Sequence, residues 1–136
     1  MDMMRVIAQK TEEDCTVAAL AMFLGLSYNT ILKVARQFSH NPEKEGMFLT
    51  EMIRVARKLG YKLRYGRYSP KKLNGILAVT NRAAGWRLKG PKGKPAPHVV
   101  VVWNGVIVDP VGPSLWTPKQ YERYAKAKFD SMLTFE

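Results

Sequence analysis

His98-Val99-Val100-Val101-Val102-Trp103-Asn104-Gly105-Val106-Ile107-Val108-Asp109 consists of two apolar runs separated by Asn-Gly. Asn and Gly take the positive φ angles of a two-residue type I′ turn more readily than other residues, so the stretch reads as a β-hairpin. Its register follows from the turn: Trp103 faces Val106, Val102 faces Ile107, Val101 faces Val108 and Val100 faces Asp109. His98, two residues before Val100, therefore shares a face with Asp109. Such diagonal neighbours have backbones roughly 7 Å apart, within reach of their side chains. A slip of one residue would send the two to opposite faces. A carboxylate beside an imidazole sets the ring's tautomer and orientation, as a histidine general base requires.

The residues before the hairpin change period. Val17, Leu20, Ala21 and Leu24 recur at helical spacing from about Cys15, and Gly25 ends the run. The start has two readings, either Thr11 with Asp14 as a capping box or Asp14 itself as the cap, with Cys15 as first helical residue. A second helix is expected from near Asn29 to Phe38, with Ile31, Val34, Ala35 and Phe38 on one face, and a third from Thr50 as cap to Gly60. The intervening His40-Asn41-Pro42 and Gly46 read as loop. Beyond Gly60 the pattern becomes extended. Tyr61 to Tyr65 and Gly75 to Thr80 read as strands, the second buried because Ile76 to Val79 are consecutively apolar. Asn81 to Pro97, rich in Gly, Pro and Lys, reads as a long surface loop. After the hairpin come a short helix from Pro118 to Lys128 capped by Thr117, and a strand from Ser131 to Phe135. Helices first and antiparallel strands afterwards make an α+β fold.

Cys15 is the only cysteine, and it falls at the start of the first helix. Unpaired backbone N–H groups and the positive end of the helix dipole there favour thiolate over thiol. Gln9, six residues upstream, can offer its amide to an oxyanion together with the Cys15 N–H. Cys15, His98, Asp109 and Gln9 are thus the parts of a thiol nucleophile site: nucleophile, base, orienting acid and oxyanion donor. Taken singly each has a structural reading, as a small buried hydrophobe, a strand-end residue, a turn initiator and an ordinary polar side chain. Their joint presence in a chain with two histidines points to chemistry, and His40 reads as a surface residue.

At 136 residues the chain is long enough to bury a core as one domain, residues 1–136, and 46% hydrophobic with 24% charged residues is a globular composition. No apolar run is long enough to span a bilayer, and the N-terminus has neither the basic start nor the apolar centre of a secretory signal. One cysteine excludes an internal disulfide and agrees with a reducing, cytoplasmic setting. The formal charge is +11, and Met52 to Val108 holds thirteen basic residues without an acidic one. Such a field attracts nucleic acid, an anionic surface or an acidic protein, and otherwise serves as a solvated face.

Gln9 followed by Cys15, the phrase Asp14-Cys15-Thr16-Val17-Ala18-Ala19-Leu20-Ala21-Met22-Phe23-Leu24-Gly25, the later His98-Val99-Val100-Val101-Val102 and the closing Val106-Ile107-Val108-Asp109-Pro110 together resemble the bacteriocin-processing peptidases. These are papain-like cysteine peptidases that remove double-glycine leaders. Ala56-Arg57-Lys58-Leu59-Gly60-Tyr61 and Thr117-Pro118-Lys119-Gln120-Tyr121 fall in the expected order, so the likeness covers most of the chain. The resemblance implies a papain-like fold, Cys15 as nucleophile, His98 as base, Asp109 as orienter, Gln9 as oxyanion donor and no metal or cofactor. Two departures stand out. Thr16 follows the cysteine where relatives usually carry a small residue, often Gly, and its branched side chain is expected to crowd an incoming substrate. Many relatives are joined to a membrane exporter and an ATPase, and neither is present here.

The expected function is therefore that of a free-standing cysteine peptidase or related thiol hydrolase acting on a peptide or isopeptide bond, with a basic surface favouring acidic substrates. The alternative is a non-catalytic binding protein on the same fold. It would hold nucleic acid through Arg82, Arg87, Lys89, Lys92 and Lys94, with Tyr61, Tyr65, Tyr68 and Trp86 stacking on bases, or an acidic protein partner.

Overall fold

A computed structural model describes residues 4, 6–8, 10, 14–80, 88–89, 95–96, 98–111 and 114–136. Among these residues the elements follow in the order α1 (Cys15–Leu24), α2 (Tyr28–Ala35), α3 (Pro42–Glu45), α4 (Leu49–Lys58), β1 (Leu63–Arg67), β2 (Gly75–Thr80), β3 (Leu88–Lys89), β4 (Pro95–Ala96), β5 (His98–Trp103), β6 (Val106–Asp109), β7 (Ser114–Trp116), α5 (Pro118–Ala125) and β8 (Lys128–Phe135). The architecture is α+β, with the larger helices preceding an antiparallel sheet.

Six strands form that sheet in the order β1-β8-β2-β5-β6-β7. Both faces are covered, which is why β2 and β5 read as unbroken apolar runs rather than alternating ones. Ile76, Ala78, Val99, Val101 and Leu133 face the α1 side, whereas Leu77, Val79, Val100, Val102, Ile107 and Met132 face Tyr121 and Ala125 of α5. The hairpin register pairs Trp103 with Val106, Val102 with Ile107 and Val101 with Val108. Asn104 and Gly105 have φ of 50° and 79°, the two positive values a type I′ turn needs. The turn is also tied to the segment before β2, since the Asn104 N–H donates to Asn74 Oδ1 and the Gly105 N–H to the Leu73 carbonyl.

α1 departs from the one-sided helix that its spacing implies. All ten of its residues are buried, with the sheet on one side and α2 and α4 on the other. A helix apolar all round is a core helix, and this one is the centre of the domain. It ends where Gly25 takes φ 70° and the Leu26 N–H reaches back to the Ala21 carbonyl. No single helix among the described residues is long and apolar enough to cross a membrane.

Other boundaries move for local reasons. α2 begins one residue early because the Ser27 side chain accepts the Thr30 N–H, and it stops at Ala35, short of Phe38. α4 is capped at Phe48 rather than Thr50; Glu51 accepts the Phe48 N–H and fixes the earlier start. Pro42, placed above in a loop, instead opens the short helix α3, for which its fixed φ is suited. β1 starts at Leu63 and β8 already at Lys128, where each finds its partner, and α5 ends at Ala125. The loop after Thr80 contains the two-stranded ribbon of β3 and β4. β7 was not visible as a strand because Ser114-Leu115-Trp116 is short and pairs only through β6.

Gly75 marks a close approach of β2 to β8. A Cβ there would lie 2.6 Å from Met132 Cε and 2.7 Å from the Leu133 carbonyl oxygen. Since the oxygen belongs to a paired strand and cannot retreat, Gly75→Ala is expected to cost about 1–3 kcal/mol, read as a lower urea midpoint. An unchanged midpoint would show that β8 yields there.

Candidate active site

Cys15 is the first residue of α1, with Asp14 at the cap position. The N–H groups of the first turn have no partner within the helix. Asp14 does not use its side chain as a cap. Fully buried, it accepts instead the Lys10 N–H at 2.8 Å and the Tyr28 hydroxyl at 2.6 Å. Burial, and then the bond and charge of Asp14, raise the Tyr28 pKa well above its ordinary value, so Tyr28 stays a donor. The chain entering the cysteine is thereby fastened to α2. Neither residue was singled out for this in the sequence, because the bond joins positions on different elements. The proposed capping role of Thr11 lies outside the described residues.

His98 opens β5 and Asp109 closes β6, and the hairpin brings them together: His98 Nε2 lies 2.9 Å from Asp109 Oδ1. Oδ1 also accepts the Val111 N–H at 3.0 Å, and Oδ2 accepts the Tyr121 hydroxyl at 2.8 Å. The Cys15 side chain lies close enough to the His98 ring to act on its ionisation. Thus α1 and the hairpin, far apart in the chain, meet at this ring, as the packing of α1 across β5 requires.

Cys15 is 1% exposed and His98 5%, so charges on them interact with little screening by water. Burial alone would lower the His98 pKa. The hydrogen bond to Asp109, and the neighbouring Cys15 side chain and Asp109 charge, prevail and raise it from 6.5 to about 10. For Asp109, burial pushes upward, but the bond and charge of His98, the Val111 N–H and the Tyr121 hydroxyl pull its pKa below the usual value. Asp109 thus favours the protonated form of the His98 ring.

Gln9 lies outside the described residues. Thr16 is buried, and its hydroxyl accepts the Met47 N–H at 3.1 Å, so the side chain is bound into the α3–α4 connection. That hydrogen bond holds the connection against α1. His40 is exposed, as a surface residue would be. Of the aromatic residues considered for base stacking, Tyr68 packs against Phe129 and Tyr61 lies near Phe135, while Tyr65 is exposed and Trp86 lies outside the described residues. Arg82, Arg87, Lys92 and Lys94 lie outside them too, and of Lys89 only the backbone in β3 is described. Among the described residues no three His, Cys, Asp or Glu side chains gather as a metal site.

The model of the peptidase C39 family matches residues 3–86, well over half of the chain, including Cys15 and ending before His98. The chain belongs to the peptidase C39 family. It is a cysteine peptidase, and the solved structures it resembles are C39 peptidase domains with the same papain-like α+β fold. The peptidase domain of Streptococcus ComA, a bifunctional ABC transporter of a quorum-sensing pathway, matches with a TM-score of 0.63 and 16% identity over 98% of both chains. A double-glycine-motif protease from an AMS/PCAT transporter, solved with its leader peptide, matches with a TM-score of 0.62 and 22% identity over 98% of this chain and 91% of that one. The Streptococcus mutans ComA peptidase domain bound to a small-molecule inhibitor gives a TM-score of 0.57 and 19% identity, over 97% and 98% of the two chains. A comparison with curated proteins finds no match. None of these similarities concerns nucleic acid, so the binding-protein alternative gains no support from them.

Proposed function

We propose that this C39 peptidase cleaves the peptide bond after a double-glycine leader, with Cys15 as nucleophile, His98 as general acid and base, Asp109 as the group that orients His98, and Gln9 as an oxyanion donor. The observation that carries the reading is the His98 ring, bonded at Nε2 to Asp109 at 2.9 Å, with the Cys15 side chain near enough to act on its ionisation. The substrate is inferred from the AMS/PCAT protease, which is named for that motif and was solved with a leader peptide.

In the first half-reaction the Cys15 sulfur attacks the carbonyl carbon of the second glycine. The Cys15 N–H and the Gln9 amide hold the oxygen as it becomes an oxyanion. The tetrahedral adduct collapses, the C–N bond breaks and His98 delivers its proton to the leaving amine. Water then attacks the thioester with His98 taking its proton, and the C–S bond breaks to regenerate the Cys15 thiolate beside the His98 imidazolium and release the glycine carboxylic acid, which ionises in solvent. One domain, residues 1–136, carries the whole reaction, and a cytosolic setting keeps its cysteine reduced. Arg54, Arg57, Lys58, Lys62, Arg64, Arg67 and Lys71 are exposed within an acid-free stretch, which favours approach of acidic substrates.

Incubating the full chain with a synthetic peptide that carries an internal Gly-Gly, and weighing the products by mass spectrometry, is expected to give one cut after the second glycine, abolished by prior treatment with iodoacetamide. An intact peptide, together with Cys15 alkylation at pH 6 no faster than that of free cysteine, would overturn the reading.

A further inference from the structure

We infer that Tyr121 is a positioning residue of the catalytic site, whose hydroxyl holds the Asp109 carboxylate so that the oxygen facing His98 stays in place. The inference rests on the reading of Asp109 as the orienting acid. A carboxylate that orients an imidazole must itself be prevented from turning about its Cβ–Cγ bond. Here Oδ1 bonds His98 Nε2 and the Val111 N–H, while the Tyr121 hydroxyl alone, among the bonds seen, holds Oδ2. Three donors in two directions define the carboxylate plane, and without Tyr121 the remaining two act on a single oxygen.

The anchor is itself rigid. Tyr121 is 1% exposed on α5, its ring edge-on to Trp116 of β7 at 6.3 Å and stacked on Phe129 of β8 at 6.4 Å. Below it lie Leu77, Val100, Ile107 and Met132 of the sheet. The α5 capping box, in which Thr117 accepts the Gln120 N–H and Gln120 accepts the Thr117 N–H, sets the start of the helix that carries the ring. Burial, followed by the charge and bond of Asp109, raises the Tyr121 pKa far above its ordinary value, so the hydroxyl remains a donor throughout the working range. The charged and titratable groups facing Asp109 are thus His98 from β5, Tyr121 from α5 and, through His98, Cys15 from α1. A donor that fixes a metal- or proton-handling group through one intermediate is commonly needed for full activity.

The test is a mutant cycle between Tyr121→Phe and Asp109→Ala, assayed on the Gly-Gly peptide at a temperature and trimethylamine oxide concentration at which each variant keeps the wild-type near-UV circular dichroism. Tyr121→Phe is expected to lower kcat about 10-fold or more while KM changes less than about 2-fold, because a charge-assisted hydrogen bond is lost from the catalytic groups and not from the substrate surface. In the Asp109→Ala background the same substitution is expected to have no further effect on kcat. Wild-type kcat in Tyr121→Phe, or an equal loss in both backgrounds, would overturn the inference by showing a packing role. If Asp109→Ala itself leaves kcat unchanged, the proposed role of Asp109 falls, an outcome separate from failure at Tyr121.

Discussion

Cys15→Ser is expected to lower kcat/KM for a Gly-Gly peptide by about 10³-fold or more, the largest effect of any single substitution in the chain. The change replaces one sulfur by one oxygen at a site 1% exposed in the first turn of α1, so the helix and its packing are retained. Serine at that position keeps the oxyanion geometry and loses the nucleophile, because a hydroxyl beside the same imidazole is far harder to ionise than a thiol. Thermal unfolding within a few degrees of wild type would establish that the loss is chemical. Cys15 is the chain's only cysteine, so iodoacetamide labelling reports on it alone. His98→Ala is expected to slow that labelling at pH 6 to the rate of free cysteine. Retained cleavage in Cys15→Ser would remove the thiol mechanism altogether.

The second large effect is on stability and its dependence on pH. The folded His98 imidazole holds its proton up to about 10, whereas an unfolded histidine gives it up near 6.5. Its contribution is therefore complete below 6.5 and is lost as pH rises from there through about 10. Asp109 behaves in the opposite sense. Its folded pKa lies below the unfolded 3.8, so its contribution is complete above that value and lost as pH falls through the folded one. The pair contributes fully between these limits, and wild-type stability should decline on the alkaline side. Asp109→Ala leaves a buried imidazole without its partner and is expected to cost about 3–5 kcal/mol near pH 5.5. The alkaline decline should flatten with it. Urea titrations at intervals from pH 4 to pH 10 give both quantities, and an alkaline slope in the variant as steep as in wild type would contradict the assignment.

The contact between His98 and Asp109 is legible in the sequence. It depends on two local rules, the positive φ that Asn104-Gly105 accepts and the two-residue period of a strand, and both act within twelve residues of chain. The helix start at Cys15 was legible on similar grounds, as were the stop at Gly25 and the cap at Thr117. Tyr121 was not. Its sequence phrase placed it on a helix, but its hydroxyl reaches Asp109 only because β7 adds to the edge of β6 and turns α5 back over the sheet. Asp14 looked like a helix cap, and the Tyr28 hydroxyl took that carboxylate instead because α2 packs beside it.

Local chemistry written in the residues was thus enough for the α+β class, the hairpin register and the candidate groups Cys15, His98 and Asp109. Tertiary packing settled something different: that α1 is buried on every side, that Cys15 comes to lie near the His98 ring, and that the Tyr121 hydroxyl bonds Asp109. The reason is physical. Turn geometry and periodicity are set by a few neighbouring dihedrals, whereas the meeting of α1 with β5 is the sum of many weak apolar contacts drawn from the whole chain, none of which is specified by the residues on either side of it.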